Sequence, residues 1–156
     1  MICKLYIETS IKWSHPGDGI VGIALAVDDH DHDAKTIYGF VKNCSESKAV
    51  IIAITRALDY CSRYKDIELN ISCNQVGHAL INGWLDKWED NFYLGADKKV
   101  IKHAKEWHEL FLKLKGKSLK IHLNEFNGYR NHLNFECLRR MAKHERILQS
   151  VESGKK

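Results

Sequence analysis

The sequence predicts a single α/β domain built on a mixed β-sheet of five strands flanked by helices. Residues 4–11 alternate, with Leu5, Ile7 and Thr9 on one face and Tyr6 and Glu8 on the other, as in a half-buried strand. Two more strand-like runs, residues 20–27 and 36–41, follow after short turns, which indicates an antiparallel meander. Helical and strand-like segments then alternate to the end of the chain, which is typical of a parallel crossover.

The later elements follow from hydrophobic periodicity. A first helix is predicted from Ser45 or Ser47, as N-cap, to residue 64. Residues 67–72 alternate strictly and predict a fourth strand, parallel to the first. Further helices are predicted from residue 75 to 81, around residues 84–88, from about 97 to 115, and from about 132 to 151. A fifth strand is predicted at residues 119–123, and residues 150–156 are expected to be a frayed tail.

Bulk composition fits one soluble globular domain spanning residues 1–156. The chain is 44% hydrophobic and 28% charged, which is wrong for a disordered protein, and its net charge of +4 permits nucleic-acid binding without requiring it. Five cysteines, an odd number without a C-x-x-C motif, favour a reducing compartment. With no apolar run of membrane-spanning length and no room for a signal peptide, we expect a cytoplasmic location without membrane contact.

A run of tryptophans and lysines carries the most specific signal. It reads Gly83-Trp84-Leu85-Asp86-Lys87-Trp88, continues through Ala96-Asp97-Lys98-Lys99 and ends at Trp107. Because of this run and the order of its elements, the chain resembles the bacterial type 1 ribonuclease H family over residues 4–145. The resemblance implies a ribonuclease H-like fold with a protruding basic handle that grips the DNA strand of an RNA/DNA hybrid.

The resemblance also implies hydrolysis of the RNA strand by two divalent ions, Mg²⁺ or Mn²⁺, held by four carboxylates. The first position, an Asp in the family, is Glu8 here, and the fourth, also an Asp, is matched to Glu136. The second and third acids fall on Val50 and Cys73, which removes two of the four ligands. Glu46, one helical turn before Val50, is a candidate substitute.

Other departures concern the loop before the last helix and the turn before the first helix, which in the family contacts the hybrid. A mobile His of the family is matched to Phe126, and Glu46 would repel a phosphate. Val50 cannot bind a metal, and a thiol such as that of Cys73 prefers softer metals than Mg²⁺. The sequence therefore predicts a degenerate site, in which Glu8 and Glu136 are either retained metal ligands or relics.

A second set of residues is expected to bind nucleic acid. Gln75 matches a family position that contacts the minor groove of the hybrid, and Asn74 precedes it. Lysines at helical spacing can bind phosphates, although a solvated helix face is the plain alternative, and neighbouring acids dilute the patch. The predicted contact residues are Asn74, Gln75, Lys87, Trp88, Lys98, Lys99 and Lys102, with Lys105 nearby.

Three other groups have simpler explanations. The run Asp28-Asp29-His30-Asp31-His32-Asp33 could collect a metal, but a solvated turn explains it better. Cys73 with His78 could form a nucleophile and base, but a buried thiol is more often an apolar filler. For the tryptophans, stacking on nucleic acid competes with a core role, which we favour for Trp84 and Trp107.

Three functions remain, in order of preference. The first is a catalytically impaired or inactive ribonuclease H-like protein, a pseudoenzyme, that binds an RNA/DNA hybrid or duplex through its backbone. The second is a protein-interaction or self-association module that uses the apolar tip Phe92-Tyr93-Leu94. The third is an active ribonuclease H in which Glu8, Glu136 and Glu46 hold one or two metal ions.

Overall fold

The central feature is a five-stranded sheet in the order β3-β2-β1-β4-β5, seen in a computed structural model. The structure describes residues 2–27 and 34–154, and side chains as far as residue 151; the predicted metal-collecting turn at residues 28–33 lies outside this part. The strands are β1 (Ile2–Thr9), β2 (Gly17–Val27), β3 (Lys35–Cys44), β4 (Asp66–Ile71) and β5 (Ser118–Leu123). The helices described are α1 (Glu46–Tyr60), α2 (Asn74–Ile81), α3 (Trp84–Asp90), α4 (Ala104–Leu114) and α5 (Arg130–Gly154).

The predicted mixed sheet is confirmed. β1 pairs antiparallel with β2 and β2 antiparallel with β3, as a meander requires, whereas β1 and β4 are parallel. β4 and β5 are also parallel. The carboxyl ends of β1, β3, β4 and β5 therefore meet at one edge of the sheet, where loops of α/β proteins commonly build their binding sites.

Alternation along β1 divides the core between the two faces. Leu5 and Ile7 belong to the large cluster that packs against α1, whereas Tyr6 packs on the other face with Leu133 of α5. Glu8 shares the face of Tyr6 and is thereby directed toward α5. No helix among the described residues is long and apolar enough to cross a membrane.

The prediction for the start of α4 is wrong. We predicted a helix from about residue 97, but α4 begins at Ala104. Lys98 and His103 both have positive φ angles, near 62°, which interrupt a right-handed helix. Leu94 and Val100 instead form an isolated antiparallel bridge, so the part of the handle before α4 is a loop.

Other boundaries agree more closely. Ser45 is the N-cap of α1, and its side chain accepts a hydrogen bond from the Lys48 amide. α5 extends to Gly154, into the tail that we expected to fray.

The buried centre of the sheet sets the stability of the domain. We predict that Leu69→Ala, at a fully buried β4 position, lowers the free energy of unfolding by about 2–5 kcal/mol because it leaves a cavity. Leu112→Ala, on a side chain of α4 that is 48% exposed, is the control and is expected to cost under about 1 kcal/mol. Urea denaturation of both variants checks this, and equal destabilisation of the two would contradict the assignment of the core.

Candidate functional site

The candidate site is built around Glu8, a carboxylate that is only 4% exposed on the central strand. The Ser72 hydroxyl lies 2.8 Å from Glu8 Oε1 and 2.7 Å from Oε2, so it donates to the carboxylate. Lys12 Nζ lies 3.1 Å from Oε1 and forms an ion pair with it. A buried carboxylate needs such partners, because leaving a charge without them costs several kcal/mol.

The last helix reaches this pair through an amide. Lys12 Nζ also donates to Asn134 Oδ1 at 2.9 Å. The Cys137 thiol, one helical turn further, lies 3.9 Å from the Glu8 carbonyl oxygen, and burial raises its pKa to about 12. Asn134 and Cys137 therefore fix α5 against the strand that carries Glu8.

Glu136, matched above to the fourth acid, has different partners. Its carboxylate accepts hydrogen bonds from Arg139, at 3.1 and 2.9 Å, and from Arg140 at 3.4 Å. These bonds, above all those from Arg139, hold the pKa of Glu136 below its usual value. Glu136 as a metal ligand stays a prediction, whereas the described hydrogen bonds join Asn134 to the Glu8–Lys12 pair.

Glu46 lies close enough to Glu8 to interact with it electrostatically. Burial raises the pKa of Glu46, and the charge of Glu8 raises it further, whereas Lys12 and a hydrogen bond with Cys73 act against this. Glu46 lies in the first turn of α1, and its role as a substitute ligand stays a prediction.

Val50 and Cys73, matched above to two of the acids, are buried side chains. Val50 is 3% exposed and belongs to the main core, and Cys73 is equally buried. Burial raises the pKa of the Cys73 thiol, which favours its neutral form. All five cysteines are free and buried, so Cys73 is best understood as a core side chain.

A groove of about 420 Å³ opens beside this site, between α2, α3 and the start of α4. Asn74, Gln75, Trp88 and Lys102, four of the predicted nucleic-acid contacts, line it. The Ser47 hydroxyl contacts Gln75 Oε1, which ties the first turn of α1 to α2. Ser47, which also lines the groove, contacts the Cys73 thiol at 3.8 Å, so the groove lies next to this matched position.

The tryptophans of the handle have unequal roles. Trp107 is 5% exposed and packs edge-on against Trp88 at 5.3 Å between ring centres, as the core role requires. The same prediction is wrong for Trp84, which is 41% exposed and lines the groove. The centre of its ring lies 6.1 Å from that of Trp88.

The handle itself carries exposed lysines and part of the predicted apolar tip. Lys87, Lys98 and Lys99 are exposed, like Lys102. Phe92 is 86% exposed, but Tyr93 is buried and packs edge-on against His108. Tyr93 therefore does not belong to an exposed tip.

Known proteins resemble the chain in both sequence and fold. Ribonuclease H of Acetivibrio thermocellus is 25% identical over 124 residues, covering 73% of this chain and 80% of that protein. Ribonuclease H of Clostridium botulinum (strain Hall) is 30% identical over 117 residues, covering 72% of this chain and 76% of that protein. The chain belongs to the ribonuclease H family. No protein-family model matches it.

Solved structures of ribonuclease H domains share the fold. The solution structure of the PFV RNase H domain has a TM-score of 0.63 at 17% identity and covers 88% of this chain and 89% of that domain. A foamy viral protease-reverse transcriptase in complex with RNA/DNA hybrid has a TM-score of 0.64 at 16% identity, covering 86% of this chain and 18% of that protein. These likenesses extend over most of this chain.

The side chains at this edge do not fit the pair of Mg²⁺ ions that the ribonuclease H resemblance implies. Among the described residues, no group of three or more His, Cys, Asp or Glu side chains could hold a metal ion. An ammonium already lies against Glu8, and the Ser72 hydroxyl donates to both carboxylate oxygens. A site for Mg²⁺ needs several oxygen ligands with free lone pairs in octahedral geometry.

Three residues of the site were missed in the sequence: Lys12, Ser72 and Asn134. One signal existed for Ser72, because a parallel β1–β4 pair with Tyr6 opposite Asn70 brings position 72 beside position 8 two residues later. Lys12 and Asn134 lie 122 residues apart, and no local pattern predicts their contact.

The hydroxyl of Ser72 should contribute measurably to stability. We predict that Ser72→Ala lowers the free energy of unfolding by about 1.5–3 kcal/mol, because it removes the hydrogen bond to a buried carboxylate. Ser118→Ala, at an exposed position of β5, is the matched control and should change little. Chemical denaturation at neutral pH measures both, and a decrease below about 0.5 kcal/mol for Ser72→Ala would contradict the description of the site.

Glu46 predicts a pH dependence of stability. Because its pKa is raised above 4.5 in the folded state, the folded protein holds this proton more tightly than the unfolded chain. Its contribution to stability therefore falls as pH rises from the unfolded value through the folded one. Glu46→Gln cannot titrate, so the stability of the variant relative to the wild type should increase over this window in thermal melts from pH 4 to 7. A constant or falling difference would contradict the burial of Glu46.

Proposed function

We propose that the chain is a nucleic-acid-binding ribonuclease H-like protein whose hydrolysis is lost or severely reduced. Its ligand is an RNA/DNA hybrid or a duplex, bound mainly through the backbone. The observation that carries this proposal is the Lys12 ammonium, which lies 3.1 Å from Glu8 where the family chemistry needs a divalent cation.

Loss of hydrolysis follows from the combined changes at the sheet edge. Val50 supplies no ligand, Cys73 is a buried thiol, and Glu136 is held by two arginines. Each misplaced ligand alone can cost about two orders of magnitude in rate. With Lys12 on the remaining central carboxylate, neither Mg²⁺ nor Mn²⁺ is expected to bind there tightly.

Binding is supported by the groove and the handle. Asn74, Gln75, Trp84 and Lys102 line one groove. Aromatic faces and lysines are the groups that proteins use to hold nucleic-acid backbones and bases. The foamy viral protein of similar fold was solved with an RNA/DNA hybrid, which supports the same class of ligand for this chain.

Two other functions have some support. The electrostatic contact between Glu46 and Glu8 favours an active enzyme that uses Glu8, Glu46 and Glu136 with Mg²⁺ or Mn²⁺. The exposed Phe92 and Leu94 favour a protein contact or self-association through the handle. Neither feature explains the position of Lys12, which is why nucleic-acid binding without efficient hydrolysis is preferred.

A cytoplasmic location is part of the same proposal. All five cysteines are free of disulfides and buried, which suits a reducing compartment.

The first test is cleavage of a labelled RNA/DNA hybrid. We expect no cleavage above background with Mg²⁺ or Mn²⁺, because two metal ligands are missing and an ammonium lies against a third. A ribonuclease H with all four acids, run in parallel, controls for the quality of the substrate. Cleavage by the wild type that disappears in Glu8→Gln would overturn the proposal in favour of the active enzyme, and its loss in Glu46→Gln would identify the substitute ligand.

The second test is binding of the same hybrid at several salt concentrations. In a variant that combines Lys98→Ala, Lys99→Ala and Lys102→Ala, the slope of log K against log salt should become shallower. We expect a change of about 0.9 for each phosphate that the lysines no longer neutralise. Lys65→Ala, an exposed lysine just before β4 at the opposite end of the sheet, is the control and should leave the slope unchanged. Absence of binding by the wild type at low salt would contradict the proposal and would leave the protein contact through Phe92 as the function to pursue.

A further inference from the structure

The position of Lys12 has a consequence for how nucleic acid is held. Lys12 follows β1, and its side chain is 44% exposed, whereas that of its partner Glu8 is 4% exposed. The ammonium therefore lies at the surface of the site, above a buried carboxylate. A ligand that approaches the sheet edge meets Lys12 before it meets Glu8.

The Lys12 ammonium is surrounded by oxygen atoms of the kinds that bind a hard cation. Among the described residues, the ammonium contacts a carboxylate oxygen, Glu8 Oε1 at 3.1 Å, and an amide oxygen, Asn134 Oδ1 at 2.9 Å. Oxygens of these two kinds are the ligands that small divalent cations take from proteins. An ammonium has three N–H donors, so these two bonds leave one donor for a further oxygen.

We propose that Lys12 is a built-in cation that takes the place of a divalent metal and binds a phosphate oxygen of the nucleic-acid backbone. The inference rests on the proposed function, since it names the group that holds the backbone at the former catalytic centre. Binding at this point then needs no metal, and no hydrolysis accompanies it, because a single ammonium neither activates a water nor stabilises both oxygens of a displacement.

The charges around Lys12 limit the strength of this contact. The charge of Lys12 is balanced by that of Glu8, and Glu46 is the other acid that interacts with both. A net positive field is therefore absent here, and attraction depends on the short range of a hydrogen-bonded ammonium. We infer one phosphate contact of moderate strength, with most of the affinity supplied by the handle.

The groove and Lys12 are placed so that one backbone can reach both. Ser72 contacts Glu8, and Gln75, three residues later, lines the groove. Three residues span at most about 11 Å, about three base-pair steps along the axis of a double helix at about 3.4 Å each. A strand in the groove can thus place a neighbouring phosphate at Lys12.

The experiment compares hybrid binding by the wild type, Lys12→Met, Lys12→Arg and Lys65→Met over a range of salt concentrations. Each titration is done with EDTA and again with Mg²⁺ at matched ionic strength. Lys65 is an exposed lysine at the opposite end of the sheet and controls for net charge. We expect the wild type to bind the hybrid equally well in EDTA and in Mg²⁺. Lys12→Met should bind several-fold more weakly, with a salt slope smaller by about one. The affinities of Lys12→Arg and Lys65→Met should be close to that of the wild type.

Thermal melts check that each variant is folded, and Lys12→Gln, which keeps a donor toward Glu8, replaces Lys12→Met if the latter unfolds. An unchanged salt slope in the Lys12 variant, alongside a flattened slope in the handle variant, would overturn this inference and leave the proposed function intact. Failure of the wild type to bind the hybrid would overturn both.

A second readout does not depend on nucleic acid. Electron paramagnetic resonance measures how much Mn²⁺ binds when the ion is titrated with the wild type and with Glu8→Gln. We expect the two proteins to bind the same amount, because no Mn²⁺ ion is held by Glu8. Such an ion would show that a metal, and not the Lys12 ammonium, neutralises Glu8, and it would overturn the inference without affecting hybrid binding.

Discussion

The buried carboxylate of Glu8 is the constraint on which the site depends. A side chain that is 4% exposed on a central strand cannot carry charge without compensation. Compensation comes from Ser72 on the neighbouring parallel strand and from Lys12 at the end of its own. Through Lys12 the requirement extends to Asn134, so the position of α5 is tied to the same carboxylate.

The proposed function separates the architecture of the ribonuclease H family from its chemistry. The described residues form the five-stranded sheet and a groove lined by Asn74, Gln75 and Lys102. Catalysis by two metal ions needs concentrated negative charge, and Val50 and Cys73, matched to two of the four acids, carry no carboxylate. Under the proposal, the Lys12 ammonium balances the charge of Glu8, and binding persists without hydrolysis.

The fold was predictable because its elements depend on local pattern. Alternation along β1 and β4 and the helical spacing in α1 gave the correct element types, and the crossover rule gave the parallel pair. The start of α4 was not predictable in this way. Its apolar spacing continues backward to Val100, but positive φ angles at Lys98 and His103 belong to a folded handle loop and leave no pattern in the sequence.

The sequence could point to a site residue only where that residue occupies a position that matches the family. Glu8 is buried on β1, and Gln75 and Trp88 line one groove, whereas Glu136 is hydrogen-bonded by arginines on its own helix; the functional roles of all four stay predictions. Lys12 and Asn134 meet only in the folded chain. Their contact depends on how α5 lies across the sheet, a long-range property that neither hydrophobic periodicity nor motif spacing encodes.

The most direct measurement is a crystal structure of the wild type grown with an RNA/DNA hybrid and Mn²⁺, with anomalous data collected for manganese. The account predicts an intact RNA strand, a backbone phosphate oxygen within hydrogen-bonding distance of Lys12 Nζ, and no manganese signal at Glu8. A manganese ion coordinated by Glu8 with Glu46 or Glu136, and Lys12 displaced from the carboxylate, would contradict it.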